Sequence, residues 1–121
     1  RVHAAKAGLL SALEGDVLEI GPGAGASLGY FRQGVRWIGV EPNRFSHAYL
    51  AETAKRCGIE ARILSGVAEN LPVPDASMNA VVSSLVLCSV QDPAAALAEI
   101  RRFTPDALVV SFHGSDGQFE A

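Results

Sequence analysis

Apolar and polar positions fall into blocks along this chain, and the period of the blocks changes from helical to extended and back. Over residues 2–14, Val2, Ala5, Leu9, Leu10 and Leu13 recur at helical spacing, and Gly15 follows as a stop. Asp16–Ile20 is a short apolar run ending in a glycine cluster, which predicts a strand. A helix is predicted over 25–32, closed by Gly34, and a second strand over 35–40 with Trp37, Ile38 and Val40. The spacing then predicts a helix over 44–56, with Asn43 as N-cap and Gly58 just past its end. Glu60–Leu64 reads as a third strand, and 65–77 as a loop carrying Pro72, Pro74 and Asp75. Residues 79–85 are nearly continuous in apolar character, as in a strand buried on both faces. Asp92 and Pro93 pair an N-cap with a first-turn proline. A helix over 94–103 follows, with Leu97 and Ile100 inward. Pro105 ends it, and 107–112 is a fifth strand.

Strands alternating with helices across short connections predict an α/β fold. The expected form is a Rossmann-like three-layer αβα arrangement, with a mainly parallel sheet of about five strands. Residues 1–121 are expected to form a single domain. Right-handed crossovers place helices on both faces. Ligands of such sheets bind beyond the carboxyl ends of the strands, where strand order reverses. That directs attention to the end of the first strand.

Composition narrows the function classes. The 121 residues carry 10 Lys+Arg against 13 Asp+Glu, a net charge of −3, with 49% hydrophobic and 19% charged residues. This balance suits a globular core rather than disorder. Mild acidity and the lack of a basic stripe argue against a nucleic-acid partner. No apolar run approaches the roughly 20 residues of a membrane-spanning helix. Cys57 and Cys88 lie far apart with no CxxC, which suits a reduced, cytoplasmic protein. His3, His47 and His113 show no metal-ligand spacing, so no metal site is expected. The N-terminus lacks a leader pattern. The chain starts at Arg1 rather than Met, as a fragment or processed form would.

The chemistry gathers after the first strand, in Val17-Leu18-Glu19-Ile20-Gly21-Pro22-Gly23-Ala24-Gly25-Ala26-Ser27. Alternate glycines at Gly21, Gly23 and Gly25 permit a turn with positive φ and let a ligand reach the backbone without a Cβ in the way. A tight turn without a ligand is the plain alternative. Gly21, Gly23 and Ala26 also satisfy the dinucleotide fingerprint, so an NAD-binding protein is an alternative reading. Two features weigh against it. Glu19, placed in the mouth of the site, would face a pyrophosphate with the wrong sign, yet it suits an ammonium or sulfonium charge. The turn itself contains no Arg or Lys. Glu41 ends the second strand about 20 residues past the turn, where a carboxylate accepts the hydroxyls of an unphosphorylated ribose. A solvated strand-end glutamate is the alternative there. Gly66-Val67-Ala68-Glu69-Asn70-Leu71-Pro72 follows the third strand, either as an adenine-facing loop or as ordinary surface.

Taken together, E-I-G-P-G-A-G (19–25), V-E-P-N (40–43), A-E-N-L-P (68–72) and S-L-V-L-C-S-V (84–90) resemble class I S-adenosylmethionine-dependent methyltransferases. The likeness is to the small-molecule, ubiquinone-biosynthesis type and its methyltransferase-like relatives, and it runs from about residue 9 to residue 114. The resemblance implies S-adenosylmethionine as cofactor and a small-molecule methyl acceptor. It implies that Gly21, Gly23 and Gly25 turn around the methionine part and ribose, with Glu19 holding the ammonium and Glu41 the ribose. Ala68 and Glu69 would lie at the adenine edge, with Pro42 and Leu71 on its faces and Leu85 beside the methionine moiety. Departures from the family pattern are Val67 where an Asp is common, Asn79 where the fourth strand often begins with Asp, and Thr104-Pro105-Asp106-Ala107 where a Gly-Gly pair is usual. The family fold usually adds a further helix and a two-stranded hairpin. Without them a sheet edge is left to pair with another copy of the chain.

Methyl transfer to a thiolate needs no strong base, whereas a hydroxyl acceptor does. His113 and Cys88 stand near the expected mouth, but both read more readily as structural residues. The catalytic residue is left unassigned. A methyltransferase-like domain that binds without catalysing is the second reading.

Overall fold

The computed structural model describes residues 8–23, 25–67, 69–71, 78–83, 94–95, 98–99, 102, 108–113 and 118–120, the last two segments through their backbone pairing. Six strands form one sheet: β1 (Asp16–Ile20), β2 (Arg36–Val40), β3 (Glu60–Leu64), β4 (Ala80–Ser83), β5 (Leu108–His113) and β6 (Gln118–Glu120). Their order is β3-β2-β1-β4-β5-β6. The first five are parallel, and β6 runs antiparallel to β5. The five expected strands are therefore present in an α/β sheet. A short sixth strand is added, so the edge expected beside the fifth strand is occupied by β6.

β1 and β4 lie at the centre, and burial on both faces accounts for their continuous apolar character. Val17, Trp37, Ala80 and Val82 face Leu10, Leu13, Leu28, Phe31, Leu50 and Ala54 in one core cluster. Leu18, Ile20, Val40 and Val81 meet Leu71 in a second cluster on the opposite face. The period of two along each strand thus divides its residues between two cores. The amino ends are tied by Asn79, whose Oδ1 accepts from the Asp16 N–H at 2.9 Å while its own N–H donates to the Asp16 carbonyl at 2.8 Å. The amide at Asn79 thus fastens β4 to β1.

The helices differ in part from expectation. Residues 8–11 are helical, and residues 1–7 of the predicted first helix lie outside the described residues. The helix predicted over 25–32 reduces to a 3-10 turn at Leu28–Tyr30. Gly25 and Gly29 in that stretch lower helix propensity, and no cap side chain starts the turn. The helix predicted over 44–56 begins as a 3-10 turn, Arg44–Ser46, and continues as α1, His47–Arg56. Asn43 caps it as expected, its side chain accepting the Phe45 N–H. At the far end the Gly58 N–H donates to the Lys55 carbonyl and the Ile59 N–H to that of Ala54, a Schellman closure. Residues 94, 95, 98, 99 and 102 are helical, in line with the helix predicted over 94–103.

Candidate active site

Strand order reverses around β1, which pairs with β2 on one side and β4 on the other. The crevice at such a switch point lies beyond the carboxyl ends of these strands. The glycine turn enters it directly. The Gly21 N–H donates to the Val40 carbonyl at 2.9 Å, and the Gly25 N–H to that of Pro22 at 2.9 Å. All three glycines have positive φ: 68°, 57° and 85° at Gly21, Gly23 and Gly25.

They are not equivalent. A Cβ on Gly25 would stand 3.0 Å from both Leu28 Cδ1 and Leu50 Cδ2, so this glycine serves close packing of the turn against α1. A Cβ on Gly23 would meet nothing within 4 Å. Gly23 therefore leaves open space beside its backbone, a cradle that a ligand can enter.

Glu41 forms the wall of that cradle and is 7% exposed. Its Oε1 accepts the Gly23 N–H at 2.9 Å, and its Oε2 the Asn43 N–H at 3.0 Å. One carboxylate thereby joins the glycine turn to the start of α1. Its main-chain carbonyl contacts His47 Nε2 at 2.8 Å. His47 is accordingly half-buried. A side chain six positions on reaches back because the chain reverses at Asn43 and enters the helix.

Glu19 sits deeper than expected. It is 1% exposed, and its Oε1 accepts the Trp37 indole N–H at 3.1 Å. Glu19 pairs in register with Gly39, and a Cβ there would overlap the Trp37 ring. The missing side chain at Gly39 lets the indole lie across β2 and reach the neighbouring strand. The carboxylate is thus fixed beneath the site rather than open in its mouth.

Of the remaining predicted residues, Pro42 is exposed beside Glu41, and Glu69 is half-buried in the turn after β3. Leu71, expected near an adenine face, is 3% exposed and belongs to the second core. Its backbone is held from the 94–103 region: its N–H donates to Glu99 at 2.8 Å, and its carbonyl accepts from Arg102 at 3.2 Å. Ala68, Leu85 and Cys88 lie outside the described residues. His113 ends β5. Sequence reasoning did not single out Trp37 or Gly39 as neighbours of the site. The glycine two residues after a strand tryptophan, opposite an acidic strand residue, was the available signal for this pair.

Comparison with known proteins gives this crevice its context. A family model described as a methyltransferase domain matches residues 18–109. This chain belongs to that methyltransferase family. The methyltransferase domain is 36% identical over 89 residues to the thiol S-methyltransferase TMT1B of Mus musculus, covering 71% of this chain and 36% of the relative. The YcgJ protein of Bacillus subtilis superposes with a TM-score of 0.76 at 25% identity, covering 92% of this chain and 51% of that one. A SAM-dependent methyltransferase from Aquifex aeolicus shares the fold, with a TM-score of 0.68 at 21% identity over 80% of this chain and 56% of that one. The methyltransferase domain thus spans about a third of the length of the curated relatives it matches and about half of the solved structures. The resemblance to class I S-adenosylmethionine-dependent methyltransferases is upheld, and the family's cofactor is S-adenosylmethionine.

Proposed function

We propose that this domain binds S-adenosylmethionine at the carboxyl end of β1 and serves methyl transfer to a small-molecule acceptor, of which a thiol is the best-supported class. The observation that carries the reading is Glu41, fixed by two backbone N–H groups at the rim of the open Gly23 cradle. Each carboxylate oxygen can accept more than one hydrogen bond, so Glu41 keeps capacity for two ribose hydroxyls. The unoccupied side of Gly23 suits the cofactor's approach to the backbone. In this reading Gly21 and Gly25 shape the turn, and Glu19 places negative charge under the ammonium. Ala68 and Glu69 border the adenine, Pro42 covers it, and Leu85 lies by the methionine chain.

When bound, S-adenosylmethionine supplies a methyl group already activated by the sulfonium charge. The chain's own residues therefore have to bind, align and exclude water. Glu41 aligns the ribose end, and the buried Glu19 favours the cationic end. The mouse relative is named for a thiol acceptor. A thiolate is nucleophilic without a strong general base, which suits a site whose catalytic residue is unassigned.

Calorimetric titration with S-adenosylmethionine, S-adenosylhomocysteine and NAD tests the reading. We expect binding of both adenosyl ligands, none of NAD, and about a tenfold or greater loss in Glu41→Gln. Binding of NAD alone by a folded chain overturns it. Adenosyl binding without transfer to small thiols favours the non-catalytic alternative.

A further inference from the structure

Every polar group of Glu41 is held. Its N–H donates to the Leu64 carbonyl at 3.0 Å, on the β3 side. Its Oε1 accepts the Gly23 N–H at 2.9 Å, and its Oε2 the Asn43 N–H at 3.0 Å. Its carbonyl meets His47 Nε2 at 2.8 Å. A carbonyl only accepts, so Nε2 of the ring carries the proton and donates it. The other partners are main-chain groups that any sequence supplies. Among the described residues, His47 is the one side chain in the set.

The carbonyl it holds is at a sensitive place. Glu41 lies just past the end of β2, and Pro42 follows with its φ fixed and no N–H to offer. The orientation of the peptide between them therefore sets where the next N–H stands. That N–H belongs to Asn43 and grips Oε2. His47 opens α1, so its bond fixes this peptide from the helix side. Without it the peptide is free to tilt and carries the Asn43 N–H with it. A carboxylate gripped through Oε1 alone turns about its last bond. One gripped through both oxygens presents its remaining lone pairs in fixed directions.

We propose that His47 is a positioning residue for ribose recognition, acting through Glu41 rather than on the ligand. The reading above, in which Glu41 accepts the ribose hydroxyls, is assumed. Two neighbouring hydroxyls need two acceptor directions in place at once, so preference for the hydroxylated sugar depends on His47. A merely structural His47 would affect stability and leave that preference unchanged.

Titrations with S-adenosylhomocysteine and with its 2′,3′-dideoxy analogue, which lacks both hydroxyls, test this in wild type, His47→Leu and His47→Gln. Leucine removes the donor, whereas the glutamine amide N–H reaches about as far as Nε2. His47→Leu is expected to weaken S-adenosylhomocysteine about fivefold and to leave the dideoxy analogue within about twofold. His47→Gln should recover most of the loss. In a Glu41→Gln background, His47→Leu should cost no further affinity. Should His47→Leu fail to fold, His47→Asn, whose amide is shorter, takes its place. Equal losses for both ligands, no loss for either, a glutamine variant no better than leucine, or an undiminished loss in Glu41→Gln overturns the assignment. Folded wild type that binds neither ligand overturns the cofactor reading itself, and so is distinguishable from failure of this assignment.

Discussion

Gly23 and Gly25 are two positions apart on one turn and answer to different constraints. At Gly25 an added methyl would press on Leu28 and Leu50 in a backbone with φ of 85°. Gly25→Ala should lower stability by about 1–3 kcal/mol, through crowding together with the left-handed φ. At Gly23 the same methyl meets open space, and only the φ of 57° opposes it. Gly23→Ala should cost about 1–2 kcal/mol of stability. It should also fill the cradle, weakening S-adenosylhomocysteine at least tenfold more than Gly25→Ala does. Urea denaturation and titration of both variants check the contrast, and equal binding losses would count against an open cradle at Gly23. The glycines and Glu41 were legible in the sequence because their spacing after a strand is local. The Glu19–Trp37 bond was not. It depends on the register that sets Glu19 against Gly39, and register emerges only from strand pairing. Ser83 is a polar residue in an apolar strand, and its lack of a partner among the described residues is a property of three-dimensional packing.

Element boundaries show the same division. All five predicted strands exist, since short runs of apolar or alternating residues bounded by glycine, proline and asparagine are strong local signals. The helix expected over 25–32 did not form beyond one 3-10 turn, because apolar spacing there is outweighed by the glycines that shape the turn. α1 was predicted well because its start is chemically marked. The Asn43 side chain accepts the Phe45 N–H at 3.1 Å, and its backbone N–H reaches Glu41. Asn43→Ala removes only the first of these. It should cost about 1 kcal/mol, and Asn43→Asp should restore most of it. Thermal or urea unfolding of the pair reads this out. An unchanged midpoint in Asn43→Ala would mean that the cap adds nothing beyond the tertiary contacts of α1.

Across the molecule, the loop after β3 is held to the 94–103 region by charge. Glu99 accepts from Arg102 at 2.9 Å and from the Leu71 N–H. Chiefly the Arg102 hydrogen bond, and then the Leu71 N–H, hold its carboxyl below the ordinary glutamate range. A carboxyl whose folded value is depressed stabilises the fold fully above its unfolded value, and that contribution is lost as pH falls through the folded one. Stability should therefore decline below about pH 4.3, and Glu99→Gln should flatten part of that decline. Asp16, lowered mainly by its hydrogen bond to Arg36, keeps a residual slope. Urea midpoints measured from pH 7 to pH 3 check this, and parallel curves for wild type and Glu99→Gln would refute it. The indole that braces Glu19 has a separate consequence. Trp37 is the chain's single tryptophan and is 1% exposed, so the protein has one indole emitter, placed between core and crevice. Its fluorescence needs no label and no deconvolution: one spectrum follows unfolding by the wavelength of emission and events beside Glu19 by its intensity.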